Sequence, residues 1–445
     1  MKWIFSRTAL VAVVMLLLGF VTGWVSATRI DGQIPISSSL TAWLGPGAAL
    51  NRTTPDELRP KFAVFWEVWN LVENEWYTRD PIDRDKMIRG AIQGMLAALE
   101  DDYTVYQEPE LAAQTNEHMQ GKQAGIGTYL RITDGRAFLW KPIKNAPAVQ
   151  AGLKQDDEIL KVDGEDIPAL IAGLDINEAS VKVAGKIRGP EGTQVQLSIR
   201  REAENRTFDL TITRADVIIP SVESQIIDGN LAYIRISEFK SNTTSEFDEA
   251  LRVLLPQKPV GIVLDLRNNP GGFLQNAQDV LGRFSDGVAL VEENRRGETK
   301  TLNANVPSAD LRVYDLPVVV LVNQGSASAS EIVAGAIRDN RQNAFLLGER
   351  TYGKGSVQSI HQLSDGGSAR VTFAHWFTPK MGEIHNVGIT PEFLVPYNED
   401  EPMQAPCVAD RQPPQGRTFC ADSQLFWAMK MLTTGERPPV VAASQ

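Results

Sequence analysis

Cysteine is nearly absent from the chain: two in 445 residues, Cys407 and Cys420, both close to the C-terminus. Histidine is almost as scarce, and His118, His361, His375 and His385 are too scattered to argue a metal centre. No metal and no cofactor is therefore expected. Basic residues are outnumbered, 44 Lys and Arg against 55 Asp and Glu, and the net charge of -11 leaves no electrostatic footprint for nucleic acid. No internal repeat is visible. A third glycine is missing too: Leu130 stands where a dinucleotide fingerprint beginning at Gly125-Ile126-Gly127 would need one. What remains is a length that supports several domains and an ordinary globular composition.

Charge is lacking again between residues 8 and 28, a stretch rich in Leu and Val, with Lys2 and Arg7 before it and Arg29 after it. It is long enough for a membrane helix with its basic end in the cytoplasm. Val25-Ser26-Ala27 also satisfies the small-residue cleavage rule, so two readings stand, a retained anchor and a removed signal peptide. The anchor is favoured because the apolar stretch fills a bilayer. Either way the rest of the chain is exported. In an oxidising compartment Cys407 and Cys420 are better read as a disulfide closing a loop through Pro413-Pro414-Gln415-Gly416 than as free thiols, contributing roughly 3 kcal/mol. Residues 36–51, with their Ser, Gly and Pro, read as a linker. Beyond it Phe62, Phe65, Trp66 and Trp69 share one helix face, and Ile88, Ala91, Ile92, Met95, Leu96 and Leu99 another; both stripes are expected to be core.

The richest chemistry lies in Gly325-Ser326-Ala327-Ser328-Ala329-Ser330-Glu331 and Thr351-Tyr352-Gly353-Lys354-Gly355-Ser356-Val357-Gln358. An apolar β-branched run, 316–322, precedes the first block, and Ile332, Val333, Ala336 and Ile337 follow at helical spacing. The serines thus sit on a strand-to-helix turn, where unpaired N–H groups and the helix dipole suit an oxyanion. Ser328-Ala329-Ser330-Glu331 is also a capping box, which on its own needs no catalysis. Lys354 tilts the balance, because it is held between two glycines after a strand at 344–347. A lysine takes a serine proton only when burial lowers its pKa, from ~10.4 to near 7 or 8, at a cost on the order of 4 kcal/mol. Val357 and Phe345 are expected to supply the apolar setting, and Gln358 to orient the amine by a side-chain hydrogen bond.

Upstream, Asp265-Leu266-Arg267-Asn268-Asn269-Pro270-Gly271-Gly272 follows a buried strand at 260–266. Strands at 231–236, 260–266, 318–322 and 344–347 alternate with helices near 245–255, 274–284 and 329–338, which implies an α/β core. Residues 121–214 look like a PDZ domain. Gln123-Ala124-Gly125-Ile126-Gly127-Thr128-Tyr129-Leu130 is similar to a carboxylate-binding loop running into a strand. A short helix at 145–152, a corner at 159–167, a second helix at 177–187 and a strand at 193–200 follow. Val181, Ala184 and Arg188 are then groove residues.

These motifs together closely resemble the C-terminal processing, or tail-specific, serine protease family over residues 56–396. The resemblance implies that Ser328 is the nucleophile, Lys354 the general base, Gln358 its support, and that the oxyanion donors are Ala329 with Gly271 or Gly272. It implies a multidomain α/β fold: a crotonase-like protease core at 215–398, a PDZ domain at 119–214 and N-terminal helices at 55–118. An anchor or signal peptide at 1–28, a linker at 29–54 and a C-terminal tail at 399–445 complete the division. His375-Trp376-Phe377-Thr378-Pro379 and Val387-Gly388-Ile389-Thr390-Pro391 match family segments closing the core. The serine-to-lysine interval is one residue longer than the family pattern, through the turn Arg341-Gln342-Asn343.

The expected function is an endopeptidase of the bacterial cell envelope, outside the cytoplasm. Its Gly125-Ile126-Gly127 loop and Arg188 take unstructured C-terminal tails of protein substrates, and subunits pair through the N-terminal helices as in relatives. A catalytically idle PDZ scaffold holding partner proteins at the membrane is the alternative, and a Ser-His-Asp hydrolase using His375 or His385 a third reading.

Overall fold

The computed structural model describes residues 55–400, 402–408, 411, 413–414 and 417–439. The anchor or signal segment at 1–28, the linker at 29–54, and Gln415 and Gly416 lie outside the described residues. The chain divides into two compact units, 1–84 and 85–445.

In the first unit, helix α1 (Arg59–Glu75) opens with proline in its first turn, where the missing N–H has no partner to lose. Phe65 meets Phe62, Trp66 and Trp69 at ring-centroid distances of 6.0, 5.2 and 6.0 Å. The expectation that this stripe is core is not met: no residue of α1 is buried, and Trp66 is 55% exposed. Helical spacing establishes that the rings share a face; it does not encode what covers that face. Helix α2 (Arg84–Ala97), with which the second unit begins, likewise buries none of the residues of the second stripe that it carries.

The second unit continues through β1 (Val105–Gln107) and α3 (Pro109–Met119) to a small domain. Its elements are β2 (Lys122–Gly125), β3 (Thr128–Thr133), β4 (Arg136–Pro142), α4 (Pro147–Gln150), β5 (Glu158–Val162), β6 (Glu165–Asp166), α5 (Ile167–Ile171), α6 (Ile176–Ile187), β7 (Gln194–Arg201), β8 (Arg206–Thr213) and β9 (Ala215–Ile218). Strands in the order β3-β4-β5-β7-β8 form an antiparallel sheet whose inward side chains, Leu139, Ile159, Val195, Leu197 and Ile199, are fully buried. Helix α6 packs Val183 and Ile187 onto this core and starts at a capping box, Asp175 accepting from Glu178 N at 2.8 Å while the Glu178 carboxylate takes Asp175 N. The chain enters and leaves this domain on paired strands, since β2 and β9 run antiparallel from Lys122 opposite Ile218 to Gly125 opposite Ala215.

The larger domain follows with β10 (Val222–Ile227), β11 (Leu231–Ile236), α7 (Thr243–Leu254), β12 (Gly261–Asp265), α8 (Leu274–Phe284), β13 (Val288–Asn294), β14 (Thr299–Asn303), β15 (Val318–Val322), α9 (Ala329–Asn340), β16 (Ala344–Gly348), β17 (Ser356–Gln362), β18 (Ser368–Phe377), β19 (Phe393–Leu394), β20 (Gln404–Ala405), β21 (Cys420–Ala421) and α10 (Ser423–Thr434). One sheet has the order β10-β11-β12-β15-β16-β19, parallel except at β10. Every residue of β12 and β15 is buried, as expected of central parallel strands covered on both faces. Ile234, Leu264 and Val320 point to α7, α8 and α9, through Phe247, Val280 and Val333. The opposite face, Tyr233, Val263, Val319 and Leu347, is covered by Leu425 and Ala428 of α10. The stretch read as a C-terminal tail thus contains a helix that closes the core. Cys407 and Cys420 are joined beside it. A second, antiparallel sheet has the order β1-β18-β13-β14, with β17 on β18.

Candidate active site

The turn between β15 and α9 places Ser328 at φ 54°, ψ -116°, a backbone conformation that costs a residue with a Cβ on the order of 1–3 kcal/mol. The flanking serines show what holds it there. Ser326 Oγ donates to Leu266 O at 2.8 Å and accepts from Asn323 N at 3.0 Å, and Ser330 Oγ donates to Asn269 O at 2.8 Å. Both are fully buried, whereas Ser328 is half-buried and lines a cavity of about 380 Å³. Gly271, Gly272, Ala329, Lys354 and Gln358 line the same cavity, with Met119, Ile332, Val357, Arg370 and Trp376.

The glycine pair approaches the serine closely. A Cβ on Gly271 would stand 2.8 Å from Ser328 Cβ and 3.0 Å from Ala329 N, and one on Gly272 would stand 2.1 Å from Phe239 O. Both have positive φ, 105° and 136°, so this loop requires glycine twice. The N–H of Gly271 already donates to Asn269 Oδ1 at 2.9 Å, while among the described residues that of Gly272 has no partner.

One carboxylate joins the serine turn to the lysine loop. Glu331, fully buried, accepts from Ser328 N at 2.8 Å, Lys354 N at 2.9 Å, Gly353 N at 2.7 Å and Thr351 Oγ1 at 2.6 Å. Burial pushes its pKa up, and these four donors pull against that rise. Trp376 Nε1 donates to Lys354 O at 3.0 Å, so the lysine backbone is fixed on both sides. Gly355 is needed here because a Cβ would stand 2.4 Å from His385 N. Burial, with help from Arg370, holds the Lys354 ammonium below the ordinary lysine pKa, against the opposing influence of Asp101 and Glu331.

Phe345 lies elsewhere, and Gln358 lines the cavity without bonding the Lys354 amine. Phe345 belongs to the far face of β16, edge-on to Phe393 and under Arg437, because alternation along the strand turns it away from the cavity. The Gln358 amide donates to Ser356 Oγ at 2.9 Å and Thr372 Oγ1 at 3.1 Å; the Lys354 amine instead lies over the Tyr103 ring, 4.8 Å from its centroid. Ser328 and Lys354 share the cavity without a hydrogen bond between their side chains. His375 and His385 stack on each other at 4.3 Å, and neither lines the cavity. Glu331 was visible in sequence as a capping residue; Tyr103, over 200 residues from Lys354, carried no local signal.

A second cavity, about 310 Å³, lies in the small domain between the loop Gly125-Ile126-Gly127 and helix α6. Val181, Ala184, Ile187 and Arg188 form its other wall. Gly127 has φ 76°, and a Cβ there would stand 2.2 Å from Ala146 Cβ. The Gln123 amide oxygen accepts from Arg188 Nε at 2.6 Å.

A serine, a half-buried lysine and a glycine loop line one cavity, and a separate groove lies in the small domain. Residues 230–395 match Peptidase family S41, residues 124–212 a PDZ domain, and residues 48–111 the Activating protease CtpB N-terminal domain. The chain belongs to peptidase family S41, among the carboxy-terminal processing proteases. It is 36% identical over 374 residues to the carboxyl-terminal-processing protease of Synechocystis sp., covering 82% of each chain. It is 34% identical over 334 residues to carboxy-terminal processing protease CtpB of Bacillus subtilis, covering 74% of this chain and 66% of that one. Among solved structures, a photosystem II D1 C-terminal processing protease matches over 81% of this chain and 94% of that one, at 28% identity and a TM-score of 0.45.

Proposed function

We propose that this chain is an endopeptidase that cleaves proteins near their C-termini with Ser328 as nucleophile and Lys354 as base. The observation that carries the reading is the single cavity that Ser328 and Lys354 share, with Glu331 bonded to the backbone of both. Neutral Lys354 takes the hydroxyl proton as Ser328 Oγ bonds to the substrate carbonyl carbon. The peptide C–N bond then breaks, the proton passes to the leaving amine, and water releases the acyl group by the same relay. Ala329 N–H and the unoccupied N–H of Gly272 are suited to the oxyanion. Gln358 acts through its amide on the cavity wall.

The groove of the small domain receives the free C-terminus of the substrate tail. The N–H groups of Ile126 and Gly127 make no hydrogen bond among the described residues, which leaves them to a terminal carboxylate, with Arg188 at the rim. The working compartment is the bacterial cell envelope outside the cytoplasm, with residues 1–28 as anchor or signal. Among the described residues no helix is long and apolar enough to cross a membrane. The exposed rings of α1 suit pairing of two subunits.

One observation favours the idle-scaffold alternative, the Lys354 amine resting on Tyr103 with no bond to Ser328. Incubating the full chain with a protein that ends in a disordered tail separates the two readings. Cleavage that disappears in Ser328→Ala, with tail binding kept, supports the peptidase; binding without cleavage by the wild type supports the scaffold.

A further inference from the structure

The C-terminal segment does more than cover the sheet. Arg267 stands at the start of the glycine loop, two residues past Asp265 at the end of β12, and its guanidinium bridges two segments. Nε and Nη2 are held by Asp265, at 2.9 and 2.6 Å. Nη1 reaches across to the C-terminal segment, to both oxygens of Asp422 at 3.1 and 3.0 Å and to Gln424 Oε1 at 3.1 Å. Asp422 and Gln424 are buried. Asp422 is itself held in several ways: its carboxylate caps α10 through Leu425 N at 3.0 Å, and its N–H donates to Met403 O at 3.0 Å. Cys420, two residues before it, pairs in β21 with Ala405 of β20 and is bonded to Cys407. Arg411, inside the loop the disulfide closes, donates to Ala421 O at 2.9 Å and reaches Asp422 Oδ2 at 3.5 Å.

From Arg267 onward the glycine loop is tied to its neighbours: Ala327 N and Ser330 Oγ donate to Asn269 O at 3.0 and 2.8 Å, Phe239 N donates to Gly271 O at 2.7 Å, and Phe273 N donates to Phe239 O at 2.8 Å. Asn268 N is held by Asn323 Oδ1 at 2.8 Å, and Asn269 Nδ2 by Ile236 O at 2.8 Å. The position of the free Gly272 N–H depends on these bonds together with the Arg267 anchor where the loop leaves β12, and the anchor is the part that reaches the C-terminal segment. We propose that Asp422 and Gln424 are positioning residues for the oxyanion loop, acting through Arg267, and that the Cys407–Cys420 disulfide holds them in place. All four lie beyond residues 230–395, the segment that matches Peptidase family S41. The inference rests on the reading that this loop supplies an oxyanion donor.

The test compares a peptide aldehyde, whose adduct with Ser328 places an oxyanion in the hole, with the matching peptide alcohol, which places none. In the wild type the aldehyde binds more tightly. In Asp422→Asn the preference for the aldehyde shrinks about tenfold or more and kcat falls to match, while KM and affinity for a tail peptide stay as they were. Cys407→Ser with Cys420→Ser gives a smaller change in the same direction. Where Asp422→Asn does not fold by circular dichroism, Gln424→Met, which removes one acceptor at similar volume, decides by the same ratio. A wild type that binds both compounds equally overturns the oxyanion reading and this inference with it. A preference present in the wild type and unchanged in the folded variants overturns the inference alone.

Discussion

Ser328 occupies a positive-φ backbone conformation that its neighbours impose, and the three serines of its turn differ in what they bond. Ser328→Ala is expected to lower kcat on the order of 10⁵-fold with an unchanged melting temperature. Ser330→Ala removes one buried hydrogen bond to Asn269, so a stability loss of about 1 kcal/mol in denaturant melts is expected, with a rate loss under about tenfold. Lys354 yields two outcomes with a worked sign. Its pKa is depressed by burial, so the chemical step slows as pH falls through that depressed value, and Lys354→Arg, which cannot deprotonate, is inactive across the profile. Between the depressed value and the ordinary lysine pKa the unfolded chain holds a proton that the folded one lacks, and stability rises with pH over that window. Lys354→Met should flatten that dependence in thermal melts taken from neutral to alkaline pH. The strand-to-helix turn that carries Ser328 and the lysine between glycines were legible because each is a local pattern. The Tyr103 ring beneath Lys354 was not, because it joins segments far apart in the chain.

The strands were legible for a similar reason: β15 is a run of four valines and one leucine, and a run with no polar residue has nowhere to lie except between two covered faces. Helix α6 was placed at 177–187 from the order of elements, one residue inside its observed start at Ile176. Helix α10 was missed because it follows a proline-rich, disulfide-closed stretch that reads as loop, although Leu425, Ala428 and Leu432 carry the helical spacing. The reverse error concerns α1, whose rings promised a core and lie exposed. In the small domain the loop before β3 depends on Gly127. Gly127→Ala, with a Cβ driven against Ala146, is expected to weaken binding of a free-carboxylate tail peptide by about tenfold or more in titration calorimetry. The amidated peptide should bind weakly to wild type and variant alike.

Taken as one body, the second unit keeps its two cavities on different domains, so binding a tail and breaking a bond are separable measurements. The first unit contributes a face of aromatic rings. If that face pairs subunits, Trp66→Glu should shift the full chain toward monomer in sedimentation velocity at micromolar concentration, whereas an unchanged sedimentation coefficient would remove α1 from any interface. The ribbon formed by β2 and β9 also bears on how such a chain is built. Because Gly125 and Ala215 stand opposite each other at the end of that ribbon, everything between them hangs on a hairpin whose stem belongs to the host. Replacing 126–214 with an Asn-Gly turn would close the stem as an ordinary two-residue hairpin and leave the order of the core strands unchanged. By the same logic a foreign domain whose termini lie a strand spacing apart fits the same socket, so the small domain is exchangeable here without redesigning the larger one.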